Sequence, residues 1–385
     1  MTGYDTVPNG NPMLMDNNMI AQAPQVPQDY QEFQAVQSFQ AQQPSSQFQP
    51  LPVDQTSQTV PILGPIELRK IAAGILNGVN SVVLGKEAVV REVFCALLAG
   101  GHVLLDDIPG VGKTTLAVAL SRLLGLEYSR IQFTPDVTPS DVVGFSMFRQ
   151  DKGTFEYQPG AVFCNLLLAD EINRTSPKTQ SALLEVMEER RTTVDGTTRA
   201  VPDPFFVIAT QNPLGSAGTQ PLPSSQLDRF MICSSLGYPS FEAELAMTAD
   251  AAAPSAQDIR KRRTNGLVPL ANTAVFKAMQ KAVDQVFVHQ AVSEYAVQLV
   301  TATRTNPLLE SGASPRASIA LVRMGKAWAW LRGEDFVIPA DIDEQFLPVT
   351  RHRVHLGASS RAARGNVDEI LESISSSVPR PRHVR

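Results

Sequence analysis

The residues of this 385-residue chain best suited to chemistry fall in three short runs. The first is Asp107-Ile108-Pro109-Gly110-Val111-Gly112-Lys113-Thr114-Thr115, which opens an amphipathic stretch. Gly110 and Gly112 let backbone N–H groups approach an anion with no Cβ in the way. The start of a helix adds unpaired N–H groups and a partial positive charge. Such a turn suits phosphate oxygens, with Lys113 reaching the outer phosphates and Thr114 offering its hydroxyl to a divalent cation. A glycine-rich turn before an ordinary helix is the plain alternative. The usual motif begins with glycine five residues before Gly112, and that position is Asp107.

The second run is Leu166-Leu167-Leu168-Ala169-Asp170-Glu171, an apolar segment that ends in two adjacent carboxylates. Packing gives no reason for this, because unpaired buried carboxylates are costly. Downstream of a phosphate loop, Asp170 is expected to hold Mg²⁺ and Glu171 to orient an attacking water, since phosphoryl transfer is mainly positioning and charge stabilisation. The third run, Phe205–Thr210, is again apolar and leads into Gln211-Asn212-Pro213. Ligands bind at the carboxyl ends of strands in parallel sheets, which would place Asn212 near the outer phosphate or the water. Asn-Pro is also an ordinary turn dipeptide.

These runs need a scaffold, and the pattern supplies an α/β one. Helices are expected at Glu67–Asn77, Lys86–Leu98, Thr114–Leu124 and Pro177–Glu189, the last with Ser176 as N-cap. Strands are expected at His102–Leu105, Tyr128–Phe133, Val162–Ala169 and Phe205–Thr210. This alternation predicts a parallel sheet covered on both faces. Two hairpins interrupt it: Val143–Met147 with Thr154–Tyr157, and Arg191–Val194 with Thr197–Ala200 around the turn signal Asp195-Gly196. From about Ser240 the strands are expected to stop, and helices follow at Thr273–Val286, Ala291–Arg304, Pro315–Leu331 and Ala340–Arg353. The expected organisation is a tail over residues 1–60, an α/β core over 61–239, a small all-helical lid over 240–360 and a C-terminal helix or tail over 361–385.

Composition excludes other classes. Residues 1–60 hold 13 glutamines, five acids and no Lys or Arg, a composition expected to stay disordered. The formal net charge of −5 therefore lies in that tail, and the remainder is balanced, which argues against a nucleic-acid binder. No apolar stretch approaches a membrane span, and no signal peptide is seen at the N-terminus. Three widely spaced cysteines suggest neither a disulfide framework nor a zinc site, and a cytoplasmic location is expected. His352 and His355, three apart on an expected helix, read as a basic helix end and not a metal pair. Trp328 and Trp330 lie about 200° apart on a helix, so packing on one side only would expose one of them for a subunit contact, and a helix buried on both sides is the alternative.

The three runs, in this order, resemble those of the AAA+ ATPases. Gly101 through Leu105, Leu166 through Arg174, Pro177 through Glu185, Phe205 through Pro213, Leu222-Pro223 with Gln226 through Phe230, Ser314 through Ser318 and Thr350 through Arg353 narrow the resemblance to the MoxR family. In that family an acid at the Asp107 position is common. The resemblance covers about residues 65–355 and implies an AAA+ P-loop NTPase core with hairpin insertions and a helical lid. Pro109, Gly110, Val111, Gly112, Lys113, Thr114 and Thr115 would be the Walker A nucleotide loop, and Asp170 with Glu171 the Walker B pair. Asn212 would be sensor 1, Arg229 an arginine finger acting on a neighbour's ATP, Arg316 sensor 2, and Val83-Leu84-Gly85 part of the adenine pocket. Arg316 stands at a helix start, where a cation opposes the macrodipole, so an anion such as the γ-phosphate is expected beside it.

The resemblance further implies Mg²⁺-dependent ATP hydrolysis, a homo-hexameric ring, and chaperone-like maturation or assembly of protein complexes, with von Willebrand factor A domain proteins as partners. The two hairpins would face the ring's central pore. Ser224-Ser225 replaces the family's usual Glu-Ala, and Gly215 through Gly218 lacks the usual Glu-rich form; both lie near the expected subunit interface. A nucleotide-dependent scaffold with little turnover, a nucleic-acid motor and a chelatase-type motor are the alternatives.

Overall fold

The computed structural model describes residues 63–212, 220–252, 264–362 and 365–382. The expected disordered tail and the Gly215–Gly218 segment lie outside the described residues. Helices α1 (Pro65–Asn80) and α2 (Glu87–Leu98) lead to β1 (Val103–Asp106), α3 (Lys113–Leu124) and β2 (Tyr128–Gln132). A short α4 (Pro139–Val143) precedes the hairpin of β3 (Phe145–Arg149) and β4 (Thr154–Gln158). Next come β5 (Leu166–Asp170), a 3-10 turn (Ile172–Arg174), α5 (Pro177–Glu189), a second hairpin of β6 (Arg191–Val194) and β7 (Thr197–Ala200), and β8 (Phe206–Gln211). Then follow α6 (Ser224–Leu227), β9 (Ile232–Ser234) and α7 (Phe241–Ala252).

Five strands form one parallel sheet in the order β2-β5-β8-β1-β9. Its side chains alternate between two cores, as the period of a strand requires. Val103, Leu105, Leu166, Leu168, Phe206 and Ile208 pack with α1, α2 and α3 on one face. Leu104, Leu167, Ala169, Val207 and Ala209 pack with Leu183, Leu184 and Met187 of α5 on the other. Central strands β1, β5 and β8 are buried along their length until their last residues, Asp106, Asp170 and Gln211, which are half-buried. Register aligns Asp106 with Gln211, and Gln132 at the end of β2 with Asp170. The sheet therefore gathers its polar strand ends at one edge.

Local chemistry sets the helix ends. Pro65 stands at the first turn of α1, and the Glu67 carboxylate accepts from the Gly64 N–H at 2.7 Å. Ser176 Oγ accepts from the Thr179 N–H at 3.3 Å and starts α5. Asp195 and Gly196 both take positive φ, the backbone that a two-residue hairpin turn demands. Arg199 lies over the Tyr157 ring, 3.8 Å from its centroid, so the two hairpins touch.

Beyond α7 the chain is largely helical: α8 (Thr273–Asp284), α9 (Gln290–Thr305), α10 (Pro315–Leu331), α11 (Pro339–Thr350), α12 (Ala358–Ala362) and α13 (Val367–Ser377). The strands do not stop at Ser240, however. β10 (Leu309–Ser311) pairs antiparallel with β11 (His355–Leu356). The lid's buried side chains Phe276, Tyr295, Met324, Trp330 and Phe346 join the core on the α1–α3 face. Phe276 meets Phe206 of β8 edge to face, ring centroids 5.5 Å apart. Trp330 is buried; Trp328 is half-buried, with the Arg91 guanidinium 5.5 Å from its ring centroid.

His102, just before β1, ties the sheet to α5. Its Nδ1 accepts from the Val207 N–H at 3.0 Å, and its Nε2 donates to the Met187 carbonyl at 3.1 Å. The bond to Nδ1 requires the neutral ring, because a protonated Nδ1 cannot accept. Burial, reinforced by Arg190, pushes its pKa down to about 3. Between pH 6.5 and 3 the unfolded chain binds a proton there that the folded one does not, so stability falls as pH falls through that window. Lowering the pH from 7 to 5 should cost about 2 kcal/mol from this group. Thermal unfolding across pH 5–7 should show the loss, and His102→Gln should be less stable at pH 7 with a flatter pH dependence.

Candidate active site

The first of the three runs leaves the sheet at the carboxyl end of β1. Gly110 and Gly112 have φ of 87° and 104°, backbone that glycine adopts freely, and a Cβ on either would meet nothing within 4 Å. The space over both glycines is therefore open, as a turn that receives a phosphate requires. Lys113 begins α3, and its ammonium donates to the carbonyls of Asp107 at 2.8 Å and Ile108 at 3.1 Å, folding the side chain along the loop. Burial lowers its pKa, against the opposing pull of Asp107, Asp170, Glu171 and Asp106. Thr114 follows it in the first turn of α3.

Asp107 is the one departure from the motif, and the structure gives its reason. Its carboxylate is buried and accepts from Ser235 Oγ at 3.0 Å, from the Gly237 N–H at 3.0 Å and from the Leu236 N–H. It thus fastens the start of the phosphate loop to the segment that follows β9. That segment leads to α7, where Ser240 and Ala243 lie against Gly85. Lys86 Nζ donates to the Tyr238 carbonyl at 2.6 Å on the same side. Of the three residues expected to line an adenine pocket, Leu84 and Gly85 reach this surface, whereas the Val83 side chain is in the core.

The second and third runs meet through a residue that sequence reasoning passed over. Thr210 Oγ1 donates to Asp170 Oδ1 at 2.7 Å and accepts from the Glu171 N–H at 2.9 Å. Its signal was a hydroxyl at the end of an otherwise apolar strand. Arg130 on β2 donates to the other oxygen of Asp170 at 2.7 Å. Gln132 and Arg174 donate to Glu171 Oε2 at 3.0 and 2.8 Å. Glu171 itself takes φ 56°, a left-handed conformation costly for a residue with a side chain, and hydrogen bonds on both sides hold it there. The Asn212 carbonyl accepts from Asn173 Nδ2 at 3.3 Å, which sets the turn after β8 beside the turn after β5. Asp106 Oδ1 is buried without a partner, and burial raises the pKa of that carboxyl. Lys113, Thr114, Asp170, Glu171 and Asn212 therefore share one edge of the sheet. A cradle open at two glycines and carboxylates at neighbouring strand ends form a donor set that fits a phosphate with a hard divalent cation.

Arg229 and Arg316 are elsewhere. Arg229 precedes β9 and lies beside Gly100 and Gly101, at the amino ends of the strands. The five residue steps from His102 to Asp107 span about 16 Å of extended chain. Arg316 is in the same place, away from the phosphate loop of its own chain, and an anion stands beside it as expected. The anion is Glu188, near the end of α5: Arg316 Nη2 pairs with its Oε1, and Arg229 Nε with its Oε2 at 3.2 Å. The physical cause is the lid, whose core joins the α1–α3 face and carries the start of α10 to the far end of the sheet.

The motif Thr350 through Arg353 clamps this region. The buried Arg353 donates to Asp228 Oδ1 at 2.8 Å and to the Met231 carbonyl at 3.0 Å, and Ser314 Oγ donates to Asp228 Oδ2 at 2.8 Å. His352 Nε2 donates to the Phe230 carbonyl at 3.0 Å. His355 instead lies in β11, its Nε2 2.6 Å from Ser224 Oγ, so the two histidines do not share the expected helix. The segment carrying Arg229 is thus held from both sides.

Comparison with known proteins agrees with this geometry. Residues 102–232 match the ATPase family associated with various cellular activities (AAA), and residues 301–374 match the AAA lid domain. The chain is 44% identical to YeaC of Bacillus subtilis (strain 168), an uncharacterized protein, over 82% of this chain and 96% of that one. It is 38% identical to the chaperone MoxR1 of Mycobacterium tuberculosis over 79% of this chain and 81% of the relative. A crystal structure of a protein assigned as an ATPase from Cytophaga hutchinsonii superposes with a TM-score of 0.76 at 33% identity, covering 83% of this chain and 97% of that one. The fold and site define an AAA+ protein with a helical lid. Within that class, the chain belongs to the MoxR family.

Replacing Asp107 with the glycine of the general motif should weaken the protein. Asp107→Gly removes a buried carboxylate and strands the Leu236 and Gly237 N–H groups, at a cost of about 2–4 kcal/mol. Urea unfolding of the variant against wild type measures it.

Proposed function

We propose that this chain hydrolyses ATP with Mg²⁺ in a homo-oligomeric ring and uses the cycle to remodel protein clients. The observation that carries this reading is the division of the site between the two ends of one sheet. The phosphate loop, Asp170, Glu171 and Asn212 occupy one end; Arg229 and Arg316 occupy the other, about 16 Å away along the strand. An arginine side chain does not span that gap, so charge stabilisation by these residues requires a second copy of the chain.

In this reading the N–H groups around Gly110 and Gly112 hold the β-phosphate, and Lys113 leaves its carbonyl partners for the outer phosphates. Thr114 and Asp170 would hold Mg²⁺, which would supply charge neutralisation for the bound phosphates. Glu171, kept in place by Gln132 and Arg174, orients and polarises the attacking water, with Asn212 beside it. Leu84 and Gly85 face the base. The neighbour's Arg229 and Arg316 stabilise charge developing on the γ-phosphate. Six subunits, von Willebrand factor A domain partners and a cytoplasmic location come from the family resemblance; the free, buried cysteines Cys95, Cys164 and Cys233 suit a reducing compartment.

The β3–β4 hairpin supports a protein client. Phe145, Phe148 and Phe155 are exposed, and Phe148 stacks edge to face on Phe155 with centroids 5.3 Å apart. The nearby cations Arg149 and Lys152 both pair with Glu156, so the hairpin is apolar and not a basic track for nucleic acid. No helix among the described residues is long and apolar enough to cross a membrane.

Mixing two inactive variants tests the shared site. Glu171→Gln and Arg229→Ala should each lose at least about a hundredfold in turnover, a loss expected of removed charge stabilisation. Mixed together, they should regain a measurable fraction, because some interfaces then pair an intact Glu171 with an intact Arg229; mixtures as inactive as their components would refute the reading. For the client role, Phe155→Ser should bind a permanently unfolded reporter protein several-fold more weakly at an unchanged basal ATPase rate, as fluorescence anisotropy would show.

A further inference from the structure

Arg229 and Arg316 line a cleft of about 250 Å³ at the amino end of β1, together with Arg190, Arg323 and Arg353. Five arginines there face two carboxylates, Glu188 and Asp228. Asp228 is engaged by Arg353 and Ser314. Glu188 is left to serve Arg229 and Arg316, giving one oxygen to each. Arg323 follows Arg316 by seven residues on α10, two turns along the same helix face, and has no ion pair among the described residues. A Cβ on Gly100 would lie 3.0 Å from its guanidinium, so it sits over the floor of the cleft. The cleft has the makings of a phosphate receptor: two guanidinium groups share one carboxylate, and a third cation, Arg323, lines the same cleft.

We infer that Glu188 is an internal stand-in for a neighbouring subunit's phosphate, holding Arg229 and Arg316 together in the free protomer and yielding them when a triphosphate docks. This rests on the reading that the two arginines act on a neighbour's ATP. A carboxylate and a phosphate compete for the same guanidinium geometry, and the terminal phosphate carries more charge and one more oxygen. Both Glu188 ion pairs are partly exposed, with side chains 29–49% accessible, so each is weak and readily exchanged. Without Glu188 the two guanidinium groups would repel at short range. With it, they stay aimed into the cleft until a better anion arrives, and they are recaptured when phosphate leaves. Glu188 thereby sets how strongly assembly depends on bound ATP, with Arg323 as a third cation for the incoming phosphates.

The test uses the full chain with Mg²⁺ and ATP. Glu188→Gln keeps the size of the side chain and removes its charge. The protein concentration giving half-maximal ATPase per protomer should fall about two- to tenfold. The affinity of the variant for a fluorescent ATP analogue, measured at protein concentrations below assembly, should match wild type. An unchanged or raised half-maximal concentration overturns the inference, as does a lower maximal rate at an unchanged midpoint, which would make Glu188 a support for the arginines in the assembled state. The mixing experiment with Glu171→Gln and Arg229→Ala separates two failures. If mixtures regain activity and Glu188→Gln shifts nothing, the stand-in role alone is wrong; if mixtures stay inactive, the shared-site reading falls and takes this inference with it.

Discussion

A parallel sheet has two unlike ends, and everything that carries chemistry here follows from that. All five strands point the same way, so β1, β5 and β8 deliver Asp106, Asp170 and Gln211 to one edge and start from the other. The turns leaving the first edge hold the phosphate cradle and the paired carboxylates. The turns entering at the second hold Arg229, with Arg316 beside it. No rotamer change moves a residue from one edge to the other. The lid packs on the α1–α3 face and shares its core, which fixes the start of α10 at the arginine end. In the proposed reading a protomer so built presents half a site at each end, and a ring joins the halves.

Polar groups at the first edge are held by one another more than by solvent. Thr210 bridges Asp170 and the Glu171 N–H, Arg130 takes the second oxygen of Asp170, and Gln132 with Arg174 restrain Glu171 in a strained backbone. Asp107 does the same for the loop, through the segment that leads to α7. This preorganisation is what phosphoryl transfer asks of a protein, because little covalent chemistry falls to the side chains. Helix α5 runs between the two edges: it begins three residues after Arg174, which grips Glu171, and its next-to-last residue is Glu188, which grips the arginines. The same element thus bears on the Glu171 carboxylate and on the counter-ion of the arginines.

Much of this was legible in the sequence where one strand or one turn decides the outcome. The glycines at 110 and 112, the carboxylates after an apolar run and the Asp195-Gly196 turn each name their local structure, and the resemblance to MoxR proteins added the class. Contacts between distant segments were not legible. Nothing local marks Glu188 as the partner of Arg229, 41 residues on, or of Arg316, 128 residues on. The macrodipole argument at Arg316 rightly demanded an anion but could not name Glu188, because the position of the lid comes from packing and not from periodicity. Three-residue strands such as β9 and β10 are too short for alternation to show, and the Arg353 clamp depends on Asp228 lying under it in the fold.

The shared site is tested most directly by the structure of the assembled protein with Mg²⁺ and a non-hydrolysable ATP analogue. The account predicts that the γ-phosphate held by Lys113 of one protomer is met by Arg229 and Arg316 of another, with Glu188 displaced from both. A γ-phosphate contacted by arginines of its own chain alone, or by none, would contradict it.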